Sequence, residues 1–213
     1  MRIKLNISIN KVIELLLFFL FILNASAGLF APLFAVFITG TLVGASLKTA
    51  GFAIAIYAIV KSFLQIPIAR RIDRHPGEKD DFFVILLGSA IGVIYPLTLI
   101  FIKFTWQLYI MEAVCGVGDA CLMAAYYAIF AHHVDRGAEG IEWSIFSVFG
   151  LTVSTAIGGA IGGIIADAFG FRTTFAVAAV LNLIAASLLL VLFPKLDGLK
   201  LGRKSPRPLV PLP

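Results

Sequence analysis

Apolar residues in this chain run together in six long blocks, 12–38, 52–68, 82–102, 106–131, 143–166 and 174–193. Turn-forming or charged breaks separate them at 40–48, 69–81, 103–105, 132–142 and 170–173. About 20 mostly apolar residues suffice for a helix to cross the hydrocarbon of a bilayer. The pattern predicts an all-α membrane protein with six transmembrane helices over 12–193. A short cytoplasmic segment, 1–11, precedes them, and a basic, proline-containing cytoplasmic tail, 194–213, follows.

Composition agrees with the pattern and narrows the class. The 213 residues are 60% hydrophobic and 14% charged, with a mean hydropathy of +1.01. A soluble domain carries about 25% charged residues, so a soluble enzyme domain and a disordered tail are both excluded. The net charge of +5 would suggest nucleic acid in a soluble protein, but its placement points elsewhere. Thirteen basic residues lie before block one, after blocks two and four, and after block six, against Lys48, Lys103 and Arg172 on the other side. Basic loops stay cytoplasmic, so a multi-pass protein of the cell (inner) membrane with both termini cytoplasmic is expected, the basic tail touching anionic lipid, with no nucleic-acid partner.

Two decoys are set aside. Arg2, Lys4 and Lys11, then 15–23, then Ala25-Ser26-Ala27, have the form of a cleavable signal peptide, yet the apolar run continues to Ile38, which predicts a retained span. Cys115 and Cys121 lie six apart in one block, on different sides of a helix, and indicate neither a disulfide nor a metal site. No metal and no cofactor is expected.

The breaks and glycines carry a family resemblance. Gln65-Ile66-Pro67-Ile68-Ala69-Arg70-Arg71-Ile72-Asp73-Arg74-His75-Pro76-Gly77-Glu78-Lys79 resembles the loop between helices two and three of the major facilitator superfamily. Ala69 stands where Gly is usual, one extra residue separates Arg74 from Gly77, and Glu78 replaces a base. Glu112-Ala113-Val114-Cys115-Gly116-Val117-Gly118 looks like the family's helix-four motif, Asp135-Arg136-Gly137 like the loop after it, and 150–159 like its helix-five motif. Gly170-Phe171-Arg172-Thr173-Thr174-Phe175 resembles the start of helix six. Glu112 replaces the family's common Arg, Asp119 replaces a small residue, and Ser154-Thr155 replaces the usual Gly-Pro. The resemblance implies one major-facilitator-type bundle, with a cytoplasmic gate at Asp73, Arg74, Gly77, Lys79, Asp135 and Arg136. Acids beside bases at helix ends can hold one helix arrangement and release another; a solvated positive-inside loop would explain the bases alone.

Independently of family, Ser154, Gly158 and Gly162 are spaced by four, as are Thr155, Gly159 and Gly163, so two small-residue stripes run along the fifth block. Such stripes let a neighbouring backbone approach closely. Gly150 and these residues are therefore candidates for helix packing.

Charged and polar side chains deep in the apolar blocks are the most informative residues, since a charge at bilayer centre costs about 2.5–3.5 kcal/mol even on the lenient insertion scale. Asn24, Lys61 and Asp119 fall near mid-depth, and Glu112 lies seven residues before Asp119 on nearly the same helical face, which Cys115, Met123 and Tyr126 extend. One reading is a structural ion pair, such as Lys61 with Asp119. The other is that Asn24, Lys61, Glu112, Asp119 and Tyr126 line a central cavity that binds a solute or cycles a proton. Asn182 and Ser187 are expected to bond between helices, and adjacent His132 and His133 cannot share a face to hold a metal.

The expected function is therefore secondary transport of a small-molecule solute. Six spans are half of a twelve-helix facilitator, whose halves are parallel repeats with the substrate between them. The chain is thus expected to act as a homodimer of half-transporters, or with a second half-transporter, by alternating access, with the proton as candidate coupling ion. The competing reading is a non-transporting membrane scaffold or accessory subunit packed against a partner membrane protein. An intramembrane enzyme is not expected: the chain has no Gly-x-Ser-x-Gly elbow and no histidine in block six.

Overall fold

The structure, a computed structural model, describes residues 10–74 and 78–198. Gly77, most of the N-terminal segment and most of the basic tail lie outside the described residues, as does the side chain of Lys79. Helices account for nearly everything described: α1 (Lys11–Phe30), a 3₁₀ turn (Ala31–Leu33), α2 (Phe34–Thr41), α3 (Leu47–Arg74), α4 (Glu78–Leu99), α5 (Thr105–His133), α6 (Glu139–Ile145), a π segment (Phe146–Val153) and α7 (Ser154–Gly198). The only extended pairing among the described residues is a bridge between Val43 and Phe104, which ties two short connections together.

Local chemistry explains the punctuation. The Asn10 side chain accepts from the Val12 N–H at 3.0 Å and caps α1. Pro32 has no N–H to give, so the first block tightens into a 3₁₀ turn before α2 continues it. The expected break at 69–81 is far narrower than its polarity suggested. Helix α3 carries Arg70, Arg71 and Asp73 through to Arg74, and α4 begins at Glu78. Charge marks where a helix leaves apolar surroundings, whereas only backbone chemistry ends it.

Among the described residues, five helical stretches are long and apolar enough to cross a membrane. The fifth, Glu139–Val191, has 53 residues, about 80 Å if straight against a hydrocarbon core of about 30 Å. It is not straight, because Gly170 sits at φ 80° and ψ 169° and breaks it. Before the break, Phe149 stacks on Phe21, and Gly158 and Gly162 abut Ala25 and Leu29, so this limb runs parallel to α1. After it, Phe171 meets Phe37, Phe175 meets Phe30, and Ser26 bonds to the Ala178 carbonyl, so the second limb returns antiparallel.

Helix α5 packs between α3 and α4, α4 continues onto α7, and α1 lies along both limbs of α7. Two apolar clusters close the ends of the bundle. One gathers Leu16, Phe19, Leu20, Tyr126, Phe130 and Phe146; the other gathers Phe34, Phe37, Ile38, Leu99, Leu108 and Phe175. Between these clusters, α1, α3, α4, α5 and the second limb of α7 contribute residues to the cavity described next. Helix α3 is the least covered, with Phe52, Ile54, Ile59, Phe63 and Ile66 all exposed.

Candidate functional site

A cavity of about 520 Å³ opens at mid-bundle, with walls supplied by α1, α3, α4, α5, the π segment and α7. That volume lies within the usual range for small-molecule sites. Glycines set the wall spacing. A Cβ at Gly116 would meet the Tyr57 carbonyl oxygen at 2.8 Å, so α3 closes on α5 there. Gly88 and Gly118 bring α4 onto α5 in the same way, a Cβ at Gly118 meeting Ile91 at 2.6 Å.

The first close approach builds a charged triangle. Tyr57 and Lys61 lie four residues apart on one face of α3, and Asp119 stands one turn beyond Gly116 on α5. The Lys61 Nζ pairs with the Asp119 Oδ2 at 2.5 Å, the Tyr57 hydroxyl donates to the same oxygen at 2.5 Å, and Nζ donates to the Tyr57 oxygen at 3.3 Å. Lys61 and Asp119 retain 29% and 24% side-chain exposure, which leaves the pair reachable from the cavity. The second approach builds a smaller pair, in which the Tyr95 hydroxyl donates to the Glu112 Oε1 at 2.5 Å. Glu112 is only 4% exposed.

The expected residues divide accordingly. Asn24, Lys61, Glu112 and Asp119 all line the cavity. The ion pair and the cavity, weighed as alternatives from sequence, coexist. Asn24 is partly turned back on its own helix, donating to the Leu20 carbonyl at 3.0 Å. Tyr126, expected on the same stripe, is fully buried, bonded to the Leu16 carbonyl and stacked between Phe19 and Phe130; Tyr127 lines the cavity instead. Asn182 bonds between helices as expected, donating to the Gly92 carbonyl at 2.7 Å, and also lines the cavity. Tyr57 and Tyr95 were missed; the four-residue spacing of Tyr57 and Lys61 was the available signal for the first.

Of the expected gate residues, Asp73, Arg74, Asp135 and Arg136 lie at one end of the bundle. Helices α3 and α5 run in the same direction, since Tyr57 meets Gly116 and Lys61 meets Asp119. Exposed Asp73 and Arg74 therefore end α3 near Asp135 and exposed Arg136, which follow α5. The Asp135 N–H donates to the buried Glu142 carboxylate at 3.2 Å, fixing that turn.

Of the two small-residue stripes, the one through Ser154, Gly158 and Gly162 packs on α1. Gly150 faces the Leu20 side chain, a Cβ there meeting it at 2.7 Å. Gly159 has only ordinary contact with Pro32, and a Cβ at Gly163 would meet nothing within 4 Å.

No curated protein matches this chain. The sequence model of the Major Facilitator Superfamily matches residues 16–212.

Proposed function

This chain belongs to the major facilitator superfamily of membrane transporters, and from that premise we propose that its mid-bundle cavity is the solute site of a secondary transporter working by alternating access. The observation that carries this reading is the convergence of Lys61 on α3 with Glu112 and Asp119 on α5 onto one cavity between two apolar clusters. Charges at that depth are tolerated chiefly where they meet one another or water.

In this reading the chain crosses the membrane six times, the reversal at Gly170 dividing the last long stretch into two crossings. The end bearing Arg70, Arg71, Arg74 and Arg136 faces the cytoplasm of the cell membrane, in keeping with the placement of basic residues. A second bundle, supplied by another copy of the chain, completes the path by covering the cavity face and the bare apolar side of α3. The proton is the coupling ion, carried by Glu112 or Asp119.

Solute uptake by vesicles reconstituted with the full chain, with and without a pH gradient, tests this. Uptake that rises with the gradient and collapses in Glu112→Gln with Asp119→Asn is expected. Gradient-independent uptake would remove the proton, and crosslinking in membranes that gave only monomer would remove the homodimer. No uptake at all, with a partner protein co-purifying in fixed ratio, would favour the scaffold reading.

A further inference from the structure

The cavity holds an acid with no basic partner and an unused acceptor, and together they name a ligand class. Its charged lining residues are Lys61, Glu112 and Asp119. Lys61 and Asp119 neutralise each other at 2.5 Å, so Glu112, held only by the neutral Tyr95 hydroxyl, is the one charged-type lining residue without a counter-charge, and its carboxylate form gives the cavity one net negative charge. Buried charges call for a counter-charge. The Oδ1 of Asn182, 8% exposed, is buried with no hydrogen-bond partner, although the same amide donates to Gly92.

Both features stand on one side of the cavity. Gly92, which anchors Asn182, and Tyr95, which anchors Glu112, lie three residues apart on α4, about 4.5 Å of helical rise. The rings of Tyr95 and Phe30 adjoin there, with centroids 6.2 Å apart. The polar donors of this wall are each already engaged at least once: Tyr95 with Glu112, the Asn182 amide with Gly92, and the Asn24 amide with Leu20.

We propose that the cavity binds a singly charged protonated amine, its N–H groups donated to Glu112 and the Asn182 Oδ1 and its apolar body against Phe30 and Tyr95. This rests on the cavity being the solute site. An anion would meet the Glu112 carboxylate, and a neutral polyol would leave that charge unanswered. Aromatic faces beside the acid favour a cation further.

Calorimetry on the full chain in lipid nanodiscs tests the assignment with four probes: phenethylamine, 2-phenylethanol, 3-phenylpropanoate and the trimethylated quaternary form of phenethylamine. The amine, which adds an opposite charge to the hydrogen bond that the alcohol can also donate, is expected to bind at least about tenfold more tightly than the alcohol, and the carboxylate not to bind. Glu112→Gln should weaken the amine by about tenfold or more and the alcohol by a much smaller factor. Asn182→Leu should weaken the primary amine several-fold and leave the quaternary cation, which has no N–H, unaffected; that unchanged binding also reports an intact fold. Equal affinity for amine and alcohol, tighter binding of the carboxylate, wild-type amine affinity in Glu112→Gln, or no binding of any probe would each overturn the proposal. If the amine binds but does not cross reconstituted membranes, the transport reading falls and this assignment stands. If an anion is carried and the amine does not bind, the reverse holds.

Discussion

A lysine and an aspartate at mid-membrane are separately unfavourable by about 2.5–3.5 kcal/mol each, and at 2.5 Å, with the Tyr57 hydroxyl on the same oxygen, each removes most of the other's penalty. Removing one partner therefore does more harm than removing both. Breaking a fully buried pair costs about 3–5 kcal/mol; with about a quarter of each side chain exposed, Asp119→Asn should cost on the order of 2 kcal/mol. In a thermal melt of the purified protein that is a fall of roughly 4–8 °C, and adding Lys61→Met should recover part of it. A double variant less stable than Asp119→Asn alone would mean that Lys61 holds its place through other contacts. The sequence exposes this pair because charges stand out in an apolar block. It hides Tyr57 and Tyr95, because a phenol is at home in such a block and only its partner reveals its role. Tyr126 shows a second limit: seven-residue spacing gives a helical face, but not the depth at which the cavity ends and the aromatic core of Phe19, Phe130 and Phe146 begins.

At the scale of elements, sequence spacing finds both small-residue stripes of the fifth block and cannot say which one meets a neighbour. That depends on the rotation of α7, set by the residues it buries against α1. Ser154, Gly158 and Gly162 are buried, whereas Gly163 has open space. A methyl group at Gly162 would be driven into the Leu29 backbone, and overpacking of this kind costs about 1–3 kcal/mol. At Gly163 the same methyl has room and stiffens the unfolded chain, a gain of about 0.5–1 kcal/mol. Gly162→Ala should therefore lower the melting midpoint by several degrees and Gly163→Ala should leave it unchanged or slightly raised. Equal losses at both would place a second backbone against the Gly163 face. The turn at Gly170 was legible as a glycine between two apolar blocks. The π segment at Phe146–Val153 was not, since its residues look like any apolar run.

For the whole molecule, six apolar blocks become five long helical stretches because nothing between blocks five and six stops a helix except one glycine with φ 80°. With φ 80° and ψ 169° Gly170 is not helical, so the fifth stretch holds two helices joined without an intervening loop. The contacts of Phe149 with Phe21 and of Phe171 with Phe37 show the chain doubling back along α1, and the proposed six crossings would put residues 10 and 198 on one side of the membrane. The connection at 42–46 and the one at 134–138 then lie on opposite sides, because α3 and α5 run in parallel and one connection begins α3 while the other ends α5. Basic residues cluster at the second of these sides, which the proposed arrangement therefore places in the cytoplasm. With Cys115 and Cys121 replaced, a membrane-impermeant maleimide should label exposed Ser46→Cys in intact cells and reach exposed Gly140→Cys only after permeabilisation. The opposite pattern would invert the molecule and move Arg70, Arg71 and Arg74 outside; labelling of both in intact cells would mean that α3 and α5 do not cross in the same sense, and the parallel pairing that builds the Lys61–Asp119 contact would fall with it.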